Sequence, residues 1–494
     1  MFSIDWSRLL QQLTYDPASP MIFSSGIFLL LFLGFSLIYL ALGQKTTLRL
    51  LFVTAFSYYF YYKSSGFYFF LLAIVTVSDF YMAKMISQVR ETSRLTAKFL
   101  ILFSLVLDLG LLFYFKYTNF FGELWASLSG GTFSALDIFL PVGISFFTFQ
   151  SLSYTIDVYR GQLRPLDSML DYAFYVSFFP QLVAGPIVRA RDFIPQIRRP
   201  LCVTNEMFGR AVFLILAGLF KKAVISDYIS VNFVERVFAQ PDLYSGLENL
   251  LAVYGYTLQI YCDFSGYSDM AIGIALMLGF EFPKNFDSPY KSQSITEFWR
   301  RWHISLSSWL KDYLYISLGG NRKGKFRQYV NLMITMLLGG LWHGASLNFI
   351  VWGGFHGLML VVDKLFNTSF LQRQKEGTSG VSWWRVLLTF HLAAFAWIFF
   401  RNQTFEGSFL MLEQIFTNFQ PQIFLQWVES YWAVALLMAV GYVLHFLPQR
   451  WSEQTQHFVT RSPLVLQALY LVALIFLVIQ VKSSDVQPFI YFQF

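Results

Sequence analysis

The chain has 494 residues, of which 56% are hydrophobic, 20% aromatic and only 13% charged, with a mean hydropathy of +0.50. A soluble domain carries about 25% charged residues, so this composition excludes a soluble protein and describes an integral, polytopic membrane protein. The net charge of +7 is spread over short loops between apolar runs, among them Arg90, Arg94 and Lys98, and Arg189, Arg191, Arg198 and Arg199. That distribution fits basic anchors on the cytoplasmic side better than a polyanion footprint, so membrane lipids are expected partners and nucleic acid is not.

Asp5, Arg8 and Asp16 precede the first apolar run, 21–42, which lacks the basic flank and small-residue cleavage site of a signal peptide and reads as a retained span. Further runs follow at 51–62, 67–86, 99–115, 139–154, 172–188 and 208–225, then at 247–261, 268–280, 329–342, 348–365, 384–400, 431–447 and 464–481. Several fall short of the ~20 residues of a perpendicular span. The expectation is therefore ten to twelve transmembrane helices with a few re-entrant or interfacial pieces, in one membrane domain over 1–494. Basic loops at 45–49, 90–98 and 189–199 placed in the cytoplasm put the N-terminus and the loop 227–248 outside. Cys202 and Cys262 are the only cysteines and show no metal-ligand spacing; both read as small buried residues.

Between two apolar runs, Asp263-Phe264-Ser265-Gly266-Tyr267-Ser268-Asp269-Met270 reads first as a turn at the cytoplasmic edge, with Asp263 and Asp269 as caps or partners for arginine, and second as scaffolding for a donor site. Ser294-Ile295-Thr296-Glu297 is a capping box that starts a helix at Ile295, and Gly319-Gly320 ends it about two dozen residues later. Glu297, Arg300, Arg301, Lys311 and Asp312 make this helix too charged to face lipid, so it lies at the interface or dips into a protein-lined cavity. Spacing of i, i+4 puts Trp299, His303 and Ser307 on one face.

His303 taken alone reads as a hydrogen-bonded core residue as readily as a functional one. His343 carries the stronger functional reading, because it follows Gly339-Gly340 and precedes Gly344 in an apolar helix where backbones can approach closely. A neutral imidazole suits general-base work on a hydroxyl, and direct attack of that hydroxyl on a thioester needs no covalent nucleophile. GxSxG, Walker and HExxH patterns are missing. His356 is thirteen residues beyond His343, but no carboxylate is spaced to complete a metal site, so none is expected.

Five motifs then run in order through most of the chain: Pro141 to Gln150 (PVGISFFTFQ), Phe178 to Ile187 (FFPQLVAGPI), Tyr261 to Gly273 (YCDFSGYSDMAIG), Phe298 to His303 (FWRRWH) and Gly340 to Gly344 (GLWHG). With the closing PFIYFQF at Pro488 to Phe494, they make the chain resemble the membrane-bound O-acyltransferase family, in its bacterial alginate O-acetylation branch. The resemblance implies an all-α fold around a tunnel through the bilayer, where a cytoplasmic thioester such as acetyl-CoA meets an acceptor hydroxyl. It implies His343 as catalytic base and His303 as the second essential polar position, with no bound cofactor. Arg300 and Arg301, flanked by Trp299 and Trp302, could contact the donor's phosphates or equally anchor at headgroups. The chain carries no esterase-like domain, so a separate extracytoplasmic acetyltransferase partner and a polysaccharide acceptor are implied, at the bacterial cytoplasmic membrane. D-alanyl transfer or peptidoglycan acetylation, a transporter or flippase, and a non-catalytic scaffold remain alternatives.

Overall fold

In hydrocarbon every backbone amide must find its partner within the protein, which favours helices. The computed structural model describes residues 12–17, 20–366 and 380–481; the closing motif at 488–494 lies outside them. Among the described residues the regular structure is entirely helical, as the composition predicts. The chain divides into two compact units, the first from residues up to 215 with 270–283, the second from 216–269 with 284 onward.

The first unit holds helices α1 (Gly26–Leu42), α2 (Thr46–Ser65), α3 (Phe69–Val89), α4 (Arg94–Ser129), α5 (Ile144–Tyr159), α6 (Met169–Ser177) and α7 (Ala190–Ile197). The outward face of α4 is apolar, with Leu95, Phe99, Leu102 and Val106 exposed, as a lipid-facing helix requires. Two of the sequence motifs meet here. Gly143 opens α5 at φ +75°, where a Cβ would come within 2.8 Å of the Leu182 carbonyl, and Gln150 Nε2 donates to the Tyr175 carbonyl at 2.7 Å. Phe179 sits among Phe35, Phe56 and Phe60, with ring centroids 5.1 to 5.8 Å away. These motifs build a core. One buried polar network in this unit centres on Asp79, which accepts from Ser104 Oγ at 2.7 Å and from Ser151 Oγ, and Ser151 Oγ lies 2.9 Å from the Tyr172 hydroxyl.

Helix α8 (Asn205–Leu219) runs on through π-helical turns to Ala239, and α9 (Gly246–Met277) follows. Where a turn with two acids was expected, α9 is continuous through 32 residues. Asp263 and Asp269 stand mid-helix and pair with lysines rather than arginines, Asp263 with Lys222 at 2.5 Å and Asp269 with Lys221 at 2.5 Å. The next expected helix is corrected the opposite way. It starts at Ile295 as read, with Ser294 Oγ accepting from Glu297 N at 3.2 Å and Glu297 accepting from Gln293 N at 2.8 Å, but it breaks after seven residues. Helix α10 (Ile295–Arg301) stops, His303 takes a left-handed φ of +42°, and α11 (Ile304–Trp309) sets off anew before a π-helical stretch to Tyr315. Gly319 and Gly320, both at positive φ, terminate it.

Helices α12 (Gly324–His343), α13 (Leu347–Phe366), α14 (Trp383–Arg401), α15 (Phe405–Thr417), α16 (Phe424–Ser430), α17 (Trp432–Phe446), α18 (Gln449–Arg461) and α19 (Leu464–Val481) complete the described chain. Four stretches are long and apolar enough to span a membrane: Thr46–Val89, Arg94–Ser129, Leu347–Phe366 and Trp383–Arg401. A fifth is the pair Pro421–Ser430 and Trp432–Phe446, bent by 99°, if taken as one broken span. Among the described residues α1 and α19 are also apolar but shorter. Cys202, expected buried, is exposed, in the segment that precedes α8; Cys262 on α9 is buried.

The contact between α12 and α13 carries the GG pair predicted to allow close approach. A Cβ on Gly340 would lie 2.2 Å from the Phe349 carbonyl and 3.2 Å from Gly353 Cα, so α12 and α13 touch backbone to backbone. Gly340→Ala should therefore lower stability by about 1–3 kcal/mol through overpacking, read as a reduced melting temperature of the detergent-solubilised protein. An unchanged melting temperature would show that the two helices separate freely.

Candidate active site

His303 occupies the break between α10 and α11 and is completely buried. A non-glycine residue in this backbone region is uncommon and costs on the order of 1 kcal/mol, so other contacts must hold it. They come from Asn285, eighteen residues earlier. The Asn285 carbonyl accepts from Ile304 N at 2.9 Å, and its Oδ1 accepts from Ser305 N at 3.2 Å and Ser305 Oγ at 2.9 Å. The same Oδ1 lies 3.3 Å from His303 Nδ1. On the other side Asn285 Nδ2 donates to Ser268 Oγ at 3.1 Å, which ties the turn to α9. Phe264 of α9 meets the imidazole edge to face at 4.5 Å, and Phe286 lies 6.3 Å away. Burial pulls the His303 imidazole down to about 3, so it is neutral throughout the physiological range.

His343 is the last residue of α12 and is 2% exposed. Its ring packs against Trp342 and Trp352, both at 5.0 Å, and Phe400 at 5.2 Å. Trp342 also reaches His303, at 6.1 Å. The two histidines singled out in the sequence are therefore brought to one tryptophan. His356 on α13 packs on Trp352 at 4.9 Å and Trp299 at 5.2 Å.

The four residues assigned to the donor separate. Trp299 joins Trp352 and His356, while His303 joins Phe264, Phe286 and Trp342. The expected shared face of Trp299, His303 and Ser307 is thus absent, because the left-handed residue interrupts the helical register. Trp302 is 1% exposed and wedged between Phe298, Phe286 and Trp397 at 4.9 to 5.6 Å. Arg301 is bound to Glu297 at 2.8 Å and to the Asp287 carbonyl at 3.1 Å. Arg300 is the exposed member.

Asn285, Ser268, Ser305 and the lysines of α8's continuation were not found from sequence. A signal for Asn285 does exist, in the turn-forming Pro283-Lys284-Asn285-Phe286-Asp287-Ser288-Pro289 that precedes the capping box.

Two buried imidazoles, His303 kept neutral by burial, stand inside one aromatic wall of a polytopic membrane protein and form its candidate active site. The membrane-bound O-acyltransferase family matches residues 162–399 of the chain, which include both histidines and Asn285. A probable alginate O-acetylase of Pseudomonas aeruginosa is 41% identical over 80% of this chain and 75% of its own. A peptidoglycan O-acetyltransferase of Helicobacter pylori is 37% identical over 68% of each, and a teichoic acid D-alanyltransferase of Bacillus subtilis is 28% identical over 54% of this chain and 69% of its own. The chain belongs to the membrane-bound O-acyltransferase family, in its alginate O-acetylation branch. It is an O-acyltransferase.

The ion pairs behind the site are expected to be structural. Lys222, 3% exposed, bonds Asp263 at 2.5 Å and Asp227 at 2.8 Å, and Asp263 immediately precedes the Phe264 that touches His303. Lys222→Met leaves the buried Asp263 without its cation and should cost about 3–5 kcal/mol, seen as loss of folded protein from the membrane. Adding Asp263→Leu should restore much of the loss. If Lys222→Met accumulates and melts like wild type, the pair does not support α9.

Proposed function

We propose that the protein transfers an acetyl group from a cytoplasmic thioester donor, acetyl-CoA or a related acyl thioester, to hydroxyls of an extracytoplasmic polysaccharide. The observation that carries this reading is the meeting of His303 and His343 at the Trp342 ring, in a chain whose relatives include named O-acetylases. His343 is the general base. Its imidazole takes the proton of the attacking hydroxyl as that oxygen bonds to the thioester carbonyl. The C–S bond then breaks, and the departing thiolate recovers the proton from the imidazolium. His303, neutral by burial, makes the second polar contact with the reacting groups. Arg300, exposed at the end of α10, meets the phosphates of the donor, with Trp299 beside it; Arg301 and Trp302 hold the loop and wall in place. A separate extracytoplasmic acetyltransferase receives the acetyl group or completes its delivery, and the protein works in the bacterial cytoplasmic membrane as a single catalytic domain.

The test is ester content of secreted polysaccharide and of peptidoglycan in cells whose sole copy is wild type, His343→Ala or His303→Ala, at matched membrane abundance. Loss of acetyl esters by 10²-fold or more in both variants is expected, the usual scale of general acid–base catalysis. Retention in His343→Ala would overturn the assignment. Esters lost from peptidoglycan alone would move the acceptor to the cell wall.

His303, with its imidazole at about 3, should add no acidic limb to the rate profile between about pH 5 and 8. A limb in that range that persists in His343→Gln and disappears in His303→Gln would contradict the neutral assignment.

A further inference from the structure

The hydrogen bonds around Asn285 determine which nitrogen of His303 can act. The Ser305 backbone N–H can only donate, and it points at one end of the Asn285 side chain from 3.2 Å. That end must therefore be the amide oxygen, and the amide nitrogen is the end that faces Ser268 Oγ at 3.1 Å. An amide oxygen only accepts. His303 Nδ1, 3.3 Å from it, is thus the protonated nitrogen. Ser305 Oγ could compete by donating to Nδ1 at 3.4 Å, but its single proton has the shorter acceptor in Asn285 Oδ1 at 2.9 Å.

We propose that Asn285 is a positioning residue that fixes His303 as the Nδ1–H tautomer, so that the lone pair resides on Nε2. This rests on the reading of His303 as a residue of the reaction. It narrows that residue's part: a neutral imidazole whose only N–H is engaged by Asn285 cannot donate to the oxyanion that develops on the thioester carbonyl. Nε2 instead accepts from a second hydroxyl of the polysaccharide acceptor, which holds the sugar while the attacking hydroxyl gives its one proton to His343. Asn285 also keeps the left-handed backbone that aims the ring, by accepting from Ile304 N and Ser305 N.

The experiment uses the full-length protein in membrane vesicles supplied with radiolabelled acetyl-CoA, with initial rates followed across pH for wild type, Asn285→Leu, Asn285→Asp and His303→Ala. Asn285→Leu keeps the volume and removes the acceptor; its rate should fall tenfold or more at every pH. Asn285→Asp keeps an acceptor for Nδ1–H but adds a negative charge, which favours the imidazolium and protonates Nε2 as pH falls. It should work within a few-fold of wild type at alkaline pH and lose activity below about pH 6.5, a limb wild type lacks. A merely structural asparagine would not move the pH profile.

An Asn285→Asp profile that superimposes on wild type, or Asn285→Leu within twofold of wild type, overturns the proposal. So does failure of the isosteric Asn285→Asp to fold, since an acceptor at that position should preserve the turn. If His303→Ala itself remains active, the parent reading of His303 fails; if His303→Ala is inactive while Asn285→Leu is active, only the role of Asn285 fails.

Discussion

A polar group buried away from water must find a partner in the protein or destabilise the fold. The site follows from that constraint. Breaking a helix at His303 exposes backbone amides at the start of α11, and Asn285 answers two of them, Ile304 N through its carbonyl and Ser305 N through its side chain. Ser268 on α9 then answers the asparagine's own amide. The chain of donors and acceptors ends inside α9, close to the carboxylate that Lys222 neutralises. Each polar group has been satisfied by the next, and the arrangement leaves the imidazole little freedom to turn.

How much of this was legible in the sequence depends on the range of the forces involved. The capping box at Ser294 is a local bond pattern, and it was read correctly. The GG pair before His343 announced close helix approach, and Gly340 against Phe349 is that approach. The break at His303 was not legible, because nothing within four residues demands it: the bonds that hold φ at +42° come from a loop eighteen residues away. The acids of α9 were read as a turn because mid-helix carboxylates in an apolar run look intolerable until their lysines are known. Lys221 and Lys222 lie about forty residues upstream, and only the packing of α9 on its neighbour pairs them. Two of the family-like motifs, 141–150 and 178–187, shape the core of the first unit rather than the candidate site.

The aromatic wall explains how a water-poor site can still orient its groups. Trp302, Trp352, Trp397 and Phe400 meet at centroid distances of about 5 to 6 Å, two contacts edge-on, one tilted and one, Trp352 on Trp397, stacked, arrangements that ring quadrupoles favour. Such a frame resists rotation of any one ring. His343 is packed into it by Trp342, Trp352 and Phe400, so its position is set by shape. His303 is set by hydrogen bonds. The two imidazoles are thus held by different physics, and a substitution that loosens one need not loosen the other.

Burial also limits what these histidines can be. A cationic imidazole without a carboxylate beside it is costly in such surroundings. The nearest acids on α9 are engaged by lysines, Asp263 by Lys222 and Asp269 by Lys221. The lysines therefore do more than support the helix: by neutralising those carboxylates they remove the local charge that would otherwise raise the affinity of His303 for a proton. A neutral second histidine follows from that placement, and a neutral histidine with its Nδ1 proton committed to Asn285 is suited to accept a hydroxyl proton's hydrogen bond rather than to supply charge.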